Sequence, residues 1–187
     1  MATFKELLHK RFPNREQIYP VLSMLLFVIF TWTLYRMFFY LPSWLDDYSL
    51  PDALVICAYV LVFSLLESLV MLGFFLIAAA ILPAKYFRKE FAVQASLLTL
   101  ILGASAFLLQ RKMKVIYSLN LQEIIVYPVI ILALIFVFIF LTSYVLNRLP
   151  ELSRILSSLV DRFTVFLYVY FPLSLVSSGY VIIHRFF

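Results

Sequence analysis

The sequence predicts an all-α polytopic membrane protein, with about five transmembrane helices and one or two short interfacial amphipathic helices. Three observations carry that expectation. Hydrophobic residues make up 65% of the 187-residue chain and charged residues only 13%, well outside the usual soluble range of about 45–50% apolar. The apolar residues gather into runs long enough to cross a hydrocarbon layer of roughly 30 Å as helices. The Lys and Arg residues, which give a net charge of +5, lie mainly in the short segments between runs, where they act as topology determinants beside an anionic membrane surface. That placement argues against a nucleic-acid partner. Weak alternation of apolar and polar residues argues against a transmembrane barrel. Residues 1–187 read as a single membrane domain.

Residues 1–19 form a basic segment in which Thr3 and Glu6 have capping-box spacing and Phe4, Leu7 and Leu8 share a helical face, predicting a short interfacial helix before Pro13. The first crossing follows at about 20–40. It is too long for a signal-peptide core and has no small-residue cleavage site after it, so it is expected to be retained. Arg36 lies inside its far end, with Thr33 one turn earlier. An arginine so placed snorkels to the interface or pairs with an acid, and Asp46, Asp47 and Glu67 are the candidates. Residues 41–52 carry Trp44, Tyr48, Asp46, Asp47 and Asp52 and no positive charge, the pattern of an acidic loop on the non-cytoplasmic side.

The second crossing, 54–82, contains one charged residue, Glu67, close to mid-depth. A charged side chain there costs roughly 2.5–3.5 kcal/mol by insertion measurements, so it is expected to face protein or water. At 100° per residue, Cys57, Ser64 and Ser68 share a stripe and Glu67 lies beside it, giving one polar sector on an apolar helix. Glu67, Ser64, Ser68 and Arg36 are therefore the candidate ion pathway or, alternatively, buried polar contacts that fix packing between helices or subunits.

Pro83 to Glu90 holds Lys85, Arg88 and Lys89 and reads as a cytoplasmic turn. The third crossing, 91–109, places Ala92, Ser96, Thr99, Gly103 and Ala106 at alternating spacings of four and three, with Gln110 continuing the series. Small and hydroxyl side chains on one seam let helix backbones approach closely; a polar pore lining is the alternative. Arg111, Lys112 and Lys114 then fall where simple alternation puts the outer side. Against them stand Lys5, Lys10, Arg11, Arg15, the Lys85–Lys89 group, Arg148, Arg154 and Arg162, which hold the N-terminus in the cytoplasm of what reads as a bacterial plasma membrane.

The fourth crossing, about 124–146, opens with Tyr127 and Pro128 and runs from Val129 to Leu141 without a polar side-chain atom. Between 148 and 162, Leu152, Ile155, Leu156, Leu159 and Val160 alternate in helical register with Ser153, Arg154, Ser157, Ser158 and Asp161, predicting an interfacial amphipathic helix that starts near Pro150. The fifth crossing, 163–183, is richer in hydroxyls and carries Pro172, which removes a backbone donor opposite the Tyr168 carbonyl.

Chemistry-bearing motifs are scarce. Cys57 is the single cysteine, and His9 and His184 stand at opposite ends of the chain, so neither a disulfide nor a multi-ligand metal or haem site is expected. No phosphate loop or Ser, His and Asp set can be gathered at one depth. No enzyme, cofactor or metal is therefore expected. The functional expectation is an oligomeric channel or ion-coupled transport protein built around Glu67; the alternative is a non-catalytic anchoring or assembly subunit of a larger membrane complex. The partners expected are the lipid bilayer and either further copies of the chain or other membrane subunits.

Overall fold

The computed structural model describes residues 13–82, 91–110 and 121–186. Six α-helices account for nearly all of them: α1 (Arg15–Asp47), α2 (Leu50–Ile81), α3 (Phe91–Gln110), α4 (Leu121–Arg148), α5 (Pro150–Arg162) and α6 (Val165–Phe186). No strand occurs among the described residues. The expected helix over residues 4–8 and the basic groups at 85–89 and 111–114 lie outside them.

α1, α2, α3 through Leu108, and the Pro150–His184 segment that joins α5 to α6 are each long and apolar enough to cross a membrane. The expected fourth crossing falls in α4, whose described apolar stretch, Ala133–Arg148, is shorter. The long apolar helices establish a multi-pass integral membrane protein.

The first connection is shorter than the sequence suggests. Residues 41–52 are not a loop: α1 continues through Pro42 to Asp47 and α2 begins at Leu50. A proline removes one backbone donor, and near a helix end this does not stop the helix. Only Tyr48 and Ser49 remain as extended linkers, with Pro51 in the first turn of α2 and the Ser49 hydroxyl donating to the Asp52 carboxylate. At 1.5 Å per residue, α1 and α2 are each about 50 Å long and project beyond the hydrocarbon.

α1 is the hub, with α2, α3 and α6 packed around it. Its contacts fix the directions of its neighbours. Phe30 stacks on Tyr170 with ring centroids 4.8 Å apart, Phe27 meets Phe166 at a tilt with centroids 4.6 Å apart, and the Ser23 hydroxyl donates to the Phe163 carbonyl. Residue numbers rise together along this ladder, so α6 runs parallel to α1. α3 is also parallel to α1, with Gly103 against Val28 and Phe107 against Trp32. α2 returns antiparallel. One buried cluster joins Val21 and Leu25 of α1 to Leu72, Phe75 and Ala79 of α2, Phe91, Ala95 and Leu98 of α3, and Ile139 of α4.

The expected interfacial segment is a helix of its own. Leu149, kept out of the helical region by the proline that follows it, separates α4 from α5, and Pro150 occupies the first position of α5. A tightened turn at Phe163–Thr164, with amide donors reaching carbonyls three residues back, leads into α6. α5 packs on α1, α3 and α4, burying Val160 and leaving Leu152, Ile155 and Leu159 exposed. Pro172 lies within α6 without ending it.

Candidate functional site: the two faces of α2

Ser64 and Ser68 lie one turn apart and face inward, at 2% and 0% exposure. Ser64 Oγ is 2.9 Å from Thr33 Oγ1 on α1 and 2.9 Å from the Val60 carbonyl oxygen. A hydroxyl has one hydrogen and two lone pairs, so Ser64 donates to one of these groups and accepts from Thr33 when it donates to Val60. Ser68 donates to the Ser64 carbonyl oxygen at 2.7 Å. Thr33, from the first expected crossing, is thus a polar contact between helices.

Glu67 points the other way. It is exposed, and its neighbours on that face, Phe63, Leu66, Val70, Phe74 and Ile77, are exposed and apolar. Among the described residues it has neither an ion-pair nor a hydrogen-bond partner. The helical wheel explains the split: one residue before Ser68, Glu67 is rotated by about 100°, enough to leave the buried stripe. Seventeen positions into a 32-residue helix, it sits close to mid-span.

The Thr33–Ser64 contact sets a common level for α1 and α2. Glu67 lies one turn from it toward the amino end of α1 and Arg36 one turn in the opposite direction, about 9 Å apart along the bundle. Arg36 is exposed and places its guanidinium carbon 5.6 Å from the centroid of the Tyr40 ring, further from Glu67 still. Such a cation–π contact contributes roughly 0.5–1 kcal/mol at an exposed site. Arg36 and Glu67 are therefore separate features. Cys57 is half-buried and free.

On α3, Ser96 and Thr99 are buried and Ala92 is half-buried, whereas Ala106 is exposed. The close approach is at Gly103, where an added Cβ would stand 2.4 Å from Val28 Cγ1. Thr99 donates to the Ala95 carbonyl at 2.8 Å. Among the described residues, Ser96 Oγ and Gln94 Oε1 are the buried side-chain atoms without a hydrogen-bond partner. The hydroxyls of α6 follow the Thr99 pattern: Ser174, Ser177 and Ser178 each donate to the carbonyl four residues back. These serines and Thr99 direct their hydrogens to the backbone of their own helix.

The described residues contain no group of three or more His, Cys, Asp or Glu side chains able to hold a metal ion. Asp46, Asp47 and Asp52 are exposed at one end of the α1–α2 hairpin. The aromatic ladder between α1 and α6 is the feature that sequence reasoning missed. Its signal was present in Phe27 with Phe30 and in Phe163, Phe166 and Tyr170, two series of aromatic residues at spacings of three and four.

No family model, curated protein or solved structure matches the chain. The fold defines its class as a small integral membrane protein.

Proposed function

We propose that this chain is a non-catalytic assembly subunit, joined to other membrane chains through the outer face of α2. One observation carries the reading: Glu67 projects from the protomer at mid-span, among Phe63, Val70 and Phe74. Against lipid, a charged side chain at this depth costs roughly 2.5–3.5 kcal/mol. A second protein surface supplying a hydrogen-bond partner removes that cost, and the apolar residues around Glu67 provide the packing area. The end where α1 begins, near Arg15, is also where α4 and α5 carry Arg148, Arg154 and Arg162, while Asp46, Asp47 and Asp52 mark the opposite end. By the positive-inside rule the amino-terminal end is cytoplasmic.

The second reading is ion conduction between copies, with Glu67 as a cation site; its mid-span position favours it. Phe63, Val70 and Phe74 offer a permeating ion no further polar group, and Ser64 and Ser68 are engaged on the opposite face. Assembly is therefore the better-supported role.

The test is the native mass of the chain extracted in mild detergent from its own membranes, with every companion chain identified. The wild type is expected in a complex of fixed composition. Glu67→Leu is expected to release the 21.9 kDa chain with its helix content intact. A wild type that runs alone both in mild detergent and in lipid nanodiscs would overturn the assembly role. In liposomes, an ion flux abolished by Glu67→Gln would select conduction instead.

A further inference from the structure

α5 is the most amphipathic of the six helices, and its surface falls into three sectors at about 100° per residue. Ser153, Leu156 and Val160 form the first, buried or half-buried where α5 packs on α1, α3 and α4. Leu152, Ile155 and Leu159 form the second, about 100° around the helix, and are exposed. Arg154, Ser157, Ser158 and Asp161 form the third and are also exposed. Protein and water suit the first and third sectors; the second requires an apolar environment.

The two ends of α5 say which one. Before it, Arg148 of α4 stands over the exposed Tyr144 ring, 5.3 Å from the centroid, and a cation with an aromatic side chain marks the headgroup level. After it, the hydrogen bond from Ser23 sets Phe163 level with that serine. That is about 10 Å from the mid-span level of Glu67, just within the roughly 15 Å half-thickness of the hydrocarbon. α6, with 22 residues, is about 33 Å long and crosses without α5. Leu141 and Tyr144 before α5, and Val165 and Val169 after it, are exposed and apolar or aromatic, so the stripe continues the outer surfaces of the helices it joins. α5 is held at the membrane surface from both sides, and lipid is what the stripe meets there.

Charge identifies the lipid. Arg162 borders the stripe, about 50° from its centre, and Arg154 stands in the polar sector; both are exposed. Neither has an ion-pair or hydrogen-bond partner among the described residues. Of the acids of α5, Asp161 lies about 150° from the stripe and Glu151 about 16 Å along the axis from Arg162. A planar guanidinium offers paired donors matched to phosphate oxygens. We propose that α5 is a binding surface for anionic phospholipid, with Leu152, Ile155 and Leu159 among the acyl chains and headgroup phosphates on Arg154 and Arg162. This surface is separate from the outer face of α2 and does not rest on the assembly role.

The experiment uses the full chain in liposomes, with Cys57→Ala as background and a fluorophore on Ile155→Cys or Ser158→Cys. Brominated lipid quenches a label in the acyl layer, and iodide quenches one in water. The Ile155 label is expected to be quenched by brominated lipid and shielded from iodide, and the Ser158 label to be quenched by iodide. Half-quenching of the Ile155 label is expected at a mole fraction of brominated phosphatidylglycerol at least fivefold lower than of brominated phosphatidylcholine, because each basic side chain near an anionic surface contributes about fivefold. Arg154→Gln combined with Arg162→Gln is expected to bring the two lipids within about twofold while the label stays shielded from iodide. An Ile155 label open to iodide would mean that α5 stands in water, and one quenched by neither agent would mean that another protein surface covers the stripe; either overturns the proposal. Equal quenching by the two lipids, or a preference untouched by the double substitution, would overturn the anionic site.

Discussion

The inner and outer faces of α2 carry polar groups one residue apart, and they solve the problem of polarity in lipid differently. Ser64 and Ser68 are buried, and each finds a partner within 3 Å: Ser68 on the Ser64 carbonyl oxygen, Ser64 on the Val60 carbonyl oxygen and on Thr33 of α1. Glu67 faces away from the bundle with no partner among the described residues. On the inner face of α2, small hydroxyls satisfy themselves locally; on its outer face, a carboxyl group has no partner within the described chain. On α2, then, one residue separates the polar groups that complete the packing of the chain from the one left outside it.

Substitutions can break or sharpen that contrast. Phe30→Ala, which removes a fully buried ring stacked on Tyr170, is expected to have the largest effect. The loss should be about 3 kcal/mol, the low end of values from aqueous cores, because lipid solvates separated helices nearly as well as protein does. Reversible unfolding in mixed micelles would measure it, and a loss under 1 kcal/mol would remove the α1–α6 ladder from the account.

Gly103→Ala comes next. Its Cβ would overlap Val28 Cγ1, and valine is stiff at χ1, so a cost of roughly 1–3 kcal/mol is expected from overpacking. Val28→Ala in the same chain should restore most of it; failure of that rescue would mean the strain arises elsewhere.

Disrupting the Thr33–Ser64 contact should matter least. A double-mutant cycle with Thr33→Val and Ser64→Ala is expected to give a coupling near 0.6 kcal/mol, the average for hydrogen bonds between membrane helices. Native complex mass should be unchanged in the single Ser64→Ala variant and reduced in Glu67→Leu. The reverse pattern would mean that the inner hydroxyls, not the carboxyl group, govern assembly.

Much of the fold is legible in the sequence because a bilayer leaves few choices. Apolar runs of sufficient length must be helical, and α3, α4 and α6 begin within about three residues of the runs that predict them. α5 is legible from its alternating Leu, Ile, Ser and Arg residues and from Pro150. The continuation of α1 to Asp47 is not, since Pro42, Trp44 and two aspartates read as a loop when taken one by one; the helix persists because its far end leaves the hydrocarbon and can hold polar residues.

The direction of Glu67 was the harder matter. A helical wheel puts it at the edge of the Ser64 and Ser68 stripe, but it contains no neighbouring helices. The placement of α1 and α6 against α2 decides which edge is covered, and that depends on long-range pairings such as Phe30 with Tyr170 and Gly103 with Val28. Thr33 shows the same limit: the sequence sets it one turn before Arg36, while its partner lies 31 residues along the chain.

The most direct test of the central claim is the environment of a spin label at Val70, one turn from Glu67 on the outer face, as the chain is diluted with lipid. The account predicts low accessibility to oxygen dissolved in lipid at native density, rising to full lipid exposure when copies and companions are separated, while a label at Ser68 stays inaccessible throughout. Full lipid exposure of the Val70 label at native density would contradict it, because the outer face of α2 would then have no partner to meet.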